Sequence, residues 1–319
     1  MMIKKILVSA PMDFVDIESS IDTNILMFDP LFKKDSIEKL DERELVVSWV
    51  VSPCPTYFID ENVTSFFPNL KTVVTPSTGT NHIDKKSLEL SGIKVYSLRD
   101  SELYNSILAS SEYSFSMMLS LIRKIPEASK FPVEGKWRES ENYLRSREVN
   151  VLKLGIIGLG RIGGNVANYA SSMNMDVNYY DPFVTCDKYK KINSIEEIFK
   201  TCDVVLLSLI LNNETENIIT KKILNNSKKG LLLVNTSRGE VIDENAVSDL
   251  VKKEILGGYA ADVLRGEIDG AWKNSPILEL VREGYNVIVT PHIAGLTFDS
   301  ESKAQNIALG LALRDLQTL

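Results

Sequence analysis

Three residues in this 319-residue chain have side chains suited to handling a small acid, and each closely follows a strand-like apolar run. Arg238 lies in Asn235-Thr236-Ser237-Arg238-Gly239, after the run 230–235. Glu267 stands five residues beyond Asp262, which closes the run 257–262. His292 comes after Pro291, beyond the run 286–290. An arginine presents a planar fork of donors to a carboxylate and a carbonyl oxygen. A histidine gives or takes a proton on a substrate oxygen near neutral pH. A carboxylate such as Glu267 can orient that imidazole and support its charged form. The set suits a 2-hydroxy acid, provided something else carries the hydride. Taken singly, each has a plainer reading: Arg238 as a surface arginine beside a turn glycine, Glu267 as part of a charged loop with Arg265 and Asp269, His292 as a loop cap. Their shared placement at strand ends, where open α/β sheets bind ligands, favours the chemical reading.

A hydride carrier has its own signature in 154–181. The apolar run 154–157 is a buried strand, followed by Gly158, Gly160 and Gly163 in G-x-G-x-x-G spacing. A helical segment runs to about 173, and a second strand, 176–180, ends at Asp181. Gly158 can take the positive φ of a tight turn. Gly160 lets the backbone approach a pyrophosphate, and Gly163 lets the helix lie close to the strand. The helix N-terminus offers N–H groups and the positive end of its dipole to phosphates. Asp181 can accept hydrogen bonds from both ribose hydroxyls and would repel a 2′-phosphate, which favours NAD over NADP. Glycine triplets alone are weak evidence, but here strand, helix, second strand and acid all accompany them.

The elements that must position these residues alternate along the chain. Strands are expected over 3–9, 45–51, 71–75 and 93–96, with a helix over 84–90. A long helical stretch spans 101–130, apolar around most of its core at 107–122, as in a buried or interface helix. The polar segment 131–147, with Trp137, reads either as a surface loop or as a dimer arm. Further strands are expected over 203–209, 230–235, 257–262 and 286–290, with helices over 244–253 and 299–316. Strand–helix alternation predicts parallel, right-handed α/β sheets. The length suits two domains. A net charge of −7 without a basic cluster argues against nucleic-acid binding. No apolar run is long enough for a signal-peptide core or a membrane span. Cys54, Cys186 and Cys202 form no C-x-x-C, so a reduced, cytoplasmic protein without a zinc site is the simple reading.

With these motifs in place, the chain resembles the D-isomer-specific 2-hydroxyacid dehydrogenase family over nearly its whole length. LGIIGLGRIG is similar to the family's cofactor fingerprint, implying Gly158, Gly160, Arg161, Ile162 and Gly163 as cofactor residues. NTSRGEVIDENAV resembles the segment of its catalytic arginine, implying Arg238, with Thr236 on the cofactor. AADVLRGE implies Asp262 at the cofactor and Glu267 as catalytic. TPHIAG implies His292 as the acid/base. STGTNHID resembles the loop whose backbone amides hold the substrate carboxylate, implying Ser77, Thr78 and Gly79. The resemblance further implies two doubly wound parallel-sheet domains. A Rossmann NAD-binding domain over 101–295 would be inserted into a flavodoxin-like substrate-binding domain made of 1–100 and 296–319. Homodimers would form through the cofactor domain and its arm, with catalysis in the cleft.

Some positions depart from the family pattern. Leu264 stands where a phenylalanine is usual, and Ile268-Asp269-Gly270 where a proline follows the glutamate, so the Glu267 loop is expected to be shaped differently. Ser208 and Ile210 replace a usual histidine and proline, and Tyr113 follows Glu112 where a histidine is common. The loop 52–57 carries hydroxyls and Tyr57 but no arginine, which disfavours a phosphorylated substrate. His82, beside the carboxylate loop, is expected to be a solvent or supporting residue at a helix start. The alternative from another class is a dinucleotide-sensing module of the same fold with little or no turnover. Retention of Arg238, Glu267 and His292 argues against it.

Overall fold

The computed structural model describes residues 4–15, 25–27, 34–37, 39–53, 55, 57–138 and 141–318. Ile3 of the first expected strand, Cys54 and Thr56 of the 52–57 loop, and residues 139–140 of the polar segment lie outside them. The chain divides into two compact units, Met1–Ile107 with Leu296–Leu319, and Leu108–Gly295.

In the first unit the described strands are β1 (Lys5–Val8), β2 (Ile25–Met27), β3 (Val46–Val50), β4 (Thr72–Val74) and β5 (Lys94–Tyr96). They pair in parallel in the order β2-β1-β3-β4-β5, the flavodoxin-like doubly wound order. Alternating side chains send Leu7, Trp49 and Val73 into one buried layer and Ile6, Val8, Val50 and Val74 into the other. The C-terminal helix Phe298–Thr318 lays Ile307, Ala308, Leu311 and Ala312 on the second layer, which is why the chain's end returns to its first strands.

The second unit holds β6 (Lys153–Ile157), β7 (Asp176–Tyr180), β8 (Lys190–Lys191), β9 (Val204–Leu207), β10 (Leu231–Asn235), β11 (Leu256–Ala261) and β12 (Val287–Val289). Every pair is parallel, in the order β12-β11-β10-β9-β6-β7-β8. This is the Rossmann arrangement, with its switch of direction between β6 and β9. Leu154, Ile156 and Ile157 are fully buried, as a central parallel strand covered on both faces requires. The register sets Asn235 against Ala261 and Ala261 against Val289, so β10, β11 and β12 end level with one another.

Most expected elements recur with trimmed ends, and three differ. The long helix is confined to Ala109–Arg123, because Lys124 takes a left-handed φ of 50° and closes it. Pro126 then starts a new short helix, Ile125–Ala128. The Ala109–Arg123 helix buries Met117, Met118, Leu121 and Ile122 in the core of its own unit. Strands β2 and β8, both at sheet edges, were not expected. Among the described residues, no helix is long and apolar enough to cross a membrane.

Candidate active site

The glycine turn lies at the switch point, between β6 and the helix Arg161–Ser172. Gly158 has φ +93°, and a Cβ there would lie 2.3 Å from the Ser208 carbonyl oxygen. A Cβ on Gly163 would lie 2.1 Å from the Gly158 oxygen, so helix and turn are in backbone contact. Gly160 differs: a Cβ there would meet nothing within 4 Å. The strand-side glycines are therefore demanded by the fold, whereas the space at Gly160 is left open. Gly160 is also the helix N-cap and provides no side-chain cap for the first turn, where Arg161 and Ile162 sit half-buried. An open cradle facing uncapped N–H groups fits a pyrophosphate.

Asp181, just beyond β7, is buried. Its Oδ2 accepts the Leu159 N–H at 2.8 Å, and its Oδ1 accepts the Phe183 and Val184 N–H groups at 2.8 and 2.9 Å. The carboxylate thus ties the end of β7 to the glycine turn. A carboxylate is thereby placed beside the cradle, with about one of its roughly four lone-pair sites left for a hydroxyl donor.

At the other side of the switch, the level ends of β10, β11 and β12 present the remaining groups. Fully buried Asn235 shapes the turn after β10. Its Oδ1 accepts from the Ser237 N–H and hydroxyl at 3.1 and 2.7 Å, and its Nδ2 donates to the Arg238 carbonyl at 2.9 Å. Arg238 is half-buried, with Nη1 donating to the Ser237 carbonyl at 2.7 Å. Thr236 is buried, its hydroxyl 2.6 Å from that of Ser114.

Asp262 is 1% exposed, and its carboxylate accepts from three donors. Its Oδ1 takes the Thr290 hydroxyl at 2.6 Å and the Ile293 N–H at 3.0 Å, while its Oδ2 takes the Ala294 N–H at 2.8 Å. Its carbonyl accepts the His292 N–H at 2.8 Å. These bonds pin a turn in which His292 adopts φ 55°, a left-handed conformation uncommon for a non-glycine residue. The imidazole Nδ1 then lies 2.5 Å from Glu267 Oε2. Both side chains remain about one-third exposed, so the pair faces solvent.

Nearby, Glu244 is buried and accepts from the Arg265 N–H and the Ser275 hydroxyl. Burial raises its pKa above the ordinary carboxylate value, against the lowering effect of those donors. Sequence reasoning singled out none of Asn235, Glu244, Ser275 and Thr290. For Asn235 and Thr290 the local signal is a polar side chain at an otherwise apolar strand end, whereas Glu244 and Ser275 sit at helix starts, where polar residues are ordinary.

In the first unit, Ser77, Thr78 and Gly79 follow β4 and are half-buried. The Ser77 hydroxyl donates to the Gly79 carbonyl at 2.7 Å and lies 2.9 Å from the Thr75 hydroxyl. The Thr75 hydroxyl in turn lies 3.1 Å from His82 Nε2. His82 is buried beneath this loop, so it is a supporting group and not a solvent-facing one.

Comparison with known proteins accords with this geometry. Residues 115–294 match the family model described as D-isomer specific 2-hydroxyacid dehydrogenase, NAD binding domain. A D-3-phosphoglycerate dehydrogenase of Haemophilus influenzae is 33% identical over 73% of this chain and 55% of its own. A glyoxylate reductase of Korarchaeum cryptofilum is 29% identical over 86% of this chain and 80% of its own. The structure of a D-lactate dehydrogenase from Aquifex aeolicus, complexed with NAD and lactic acid, superposes with a TM-score of 0.82. It is 27% identical and covers 99% of this chain and 96% of that one. The chain spans about half the length of the phosphoglycerate dehydrogenases it matches. A family model spanning more than half the chain, on the sheet that carries both the glycine turn and the Glu267–His292 contact, establishes that this chain belongs to the D-isomer specific 2-hydroxyacid dehydrogenase family.

Proposed function

We propose that the protein is an NAD-dependent oxidoreductase interconverting a D-2-hydroxy acid and its 2-oxo acid. One observation carries the reading: His292 Nδ1 lies 2.5 Å from Glu267 Oε2, at the strand ends of the sheet that bears the glycine turn. With Nδ1–H donated to the carboxylate, Nε2 is the nitrogen left to exchange a proton with substrate. A nicotinamide bound here supplies the hydride. In reduction, His292 gives its Nε2 proton to the carbonyl oxygen as the carbonyl carbon gains the hydride. In oxidation it takes the hydroxyl proton back. Glu267 holds the ring in one tautomer and balances the charge of the imidazolium. Arg238 offers its fork to the substrate carboxylate and carbonyl oxygen, polarising the bond that is reduced.

Gly158, Gly160, Arg161, Ile162 and Gly163 would hold the pyrophosphate, Asp181 the adenosine ribose, and Thr236 and Asp262 the nicotinamide end. Ser77, Thr78 and Gly79 would offer amides to the substrate carboxylate. On this reading 101–295 is the cofactor domain, and 1–100 with 296–319 the substrate domain. The exposed segment holding Trp137 and Val133 supports a homodimer, which sedimentation at about twice 35.7 kDa would bear out. The composition supports a cytoplasmic site.

NADH oxidation against pyruvate, glyoxylate, hydroxypyruvate, 3-phosphohydroxypyruvate and branched 2-oxo acids tests the reading. Turnover of at least one supports it, with an unphosphorylated acid preferred. Tight NADH binding without turnover of any 2-oxo acid at any pH would instead make the protein a dinucleotide sensor.

A further inference from the structure

The segment 264–266 leads from the end of β11 to Glu267, and it crosses the turn carrying Arg238 at backbone contact. A Cβ on Gly239 would lie 2.1 Å from the Arg265 nitrogen and 2.1 Å from the Leu264 carbonyl carbon. Around that crossing Arg265 is tied at both ends. Its N–H donates to Glu244 Oε1 at 2.8 Å, and Glu244 Oε2 accepts the Ser275 hydroxyl at 2.7 Å. Its Nη2 donates to Asn217 Oδ1 at 2.6 Å and to the Glu240 carbonyl at 2.9 Å. The next N–H, on Gly266, donates to Glu240 Oε1 at 3.2 Å. Gly266 has φ +78°, which turns the chain directly into Glu267. Glu267 Oε1 then accepts the Leu264 N–H at 2.9 Å, leaving Oε2 for His292.

We propose that Arg265 is a positioning residue, clamping the 264–267 turn onto residues 217 and 240–244 so that the Glu267 carboxylate is held against His292. The inference rests on the acid/base reading of that pair. The guanidinium bonds chiefly to an amide oxygen and a main-chain carbonyl, so its effect is on shape. Among the described residues its one ion pair is a 3.9 Å contact with Glu216, between partly exposed side chains, and such pairs contribute little. The residues after Glu267, Ile268-Asp269-Gly270, include no proline to stiffen the turn, and Gly270 takes φ +81°. On that side the Trp272 N–H donates to the Gly266 carbonyl at 3.3 Å, and the shorter bonds at Arg265 hold the turn from the side facing 240–244.

The test is a double-mutant cycle on the full chain, reading kcat and KM for 2-oxo acid reduction with NADH. Arg265→Ala should lower kcat by on the order of tenfold, because small misplacements of a catalytic group are costly. KM for NADH should stay unchanged. Arg265→Lys should recover part of the loss, since it keeps a donor but not the fork. In a Glu267→Gln background the same Arg265 substitutions should cost almost nothing more. If Arg265→Ala does not fold, Arg265→Lys carries the cycle by itself. Equal fold-losses in both backgrounds would overturn the inference, as would an unchanged kcat in a folded Arg265→Ala. Full turnover by His292→Ala would instead overturn the acid/base reading itself.

Discussion

Asn235 Nδ2 holds the Arg238 carbonyl and the Arg238 guanidinium donates to the Ser237 carbonyl, which anchors the residue at the end of β10. A lysine there would keep the charge but lose the second parallel donor. Arg238→Lys should lower kcat/KM by about tenfold or more, with NADH affinity nearly unchanged. Steady-state kinetics with a cofactor titration on the same preparation would check both halves. Glu244 allows a prediction about stability. Because burial raises its pKa, the folded protein binds this proton more tightly than the unfolded chain does. The stability it contributes is full below the ordinary carboxylate pKa and is lost as pH rises through the raised one. Glu244→Gln cannot ionise and lacks that loss. The Tm of wild type minus that of Glu244→Gln should therefore fall from about pH 4 to about pH 8. A difference that is flat or rising with pH would contradict the assignment. The residues that could do chemistry were legible because Arg238, Glu267 and His292 are unusual types at strand ends. Their supports were not, since Glu244 meets Arg265 across 21 positions and Asp262 meets Ile293 across 31. No local pattern reports bonds of that separation.

The element of greatest consequence is the β6–turn–helix unit, whose glycines separate into two kinds. Gly163 is packed against backbone, so a methyl there must push the helix off the strand, and overpacking of this kind costs roughly 1–3 kcal/mol. Gly160 has open space and a φ of −74° that any residue adopts. Gly163→Ala should therefore lower Tm by several degrees. Gly160→Ala should leave Tm nearly unchanged yet weaken NADH binding by about tenfold or more, because the methyl would occupy the pyrophosphate's space. Calorimetry with fluorescence titration distinguishes the two. A destabilised Gly160→Ala with normal NADH affinity would reverse the assignment. The spacing alone announced this element, since strand, turn and helix are all local. Strands β2 and β8 were missed for the opposite reason. They are two or three residues long and exist by pairing with β1 and β7. The Ala109–Arg123 helix is shorter than the apolar pattern of 101–130 suggests, because that pattern gives no sign of the left-handed Lys124.

At the scale of the whole molecule, the order of apolar runs was enough to foresee two parallel sheets, because consecutive parallel strands require crossovers of the kind the chain contains. The sheet orders themselves, and the level ends of β10, β11 and β12, arise from non-local pairing. Cofactor choice is also a property of assembled parts. Asp181 is anchored by three N–H groups from two segments, which keeps a negative charge beside the glycine turn. The protein should prefer NADH to NADPH by at least about tenfold in kcat/KM, since a 2′-phosphate would meet that carboxylate. Equal or better use of NADPH would contradict this.

The central claim is that His292 moves the proton while a nicotinamide moves the hydride. It is tested most directly by kcat/KM for NADH-driven reduction of a 2-oxo acid by wild type and His292→Ala, with the NADH Kd measured on both. General acid–base groups contribute about 10²–10⁴-fold. The expected result is a loss in that range, with Kd for NADH changed by less than about twofold. A His292→Ala enzyme that reduces 2-oxo acids at near wild-type kcat/KM would contradict the claim.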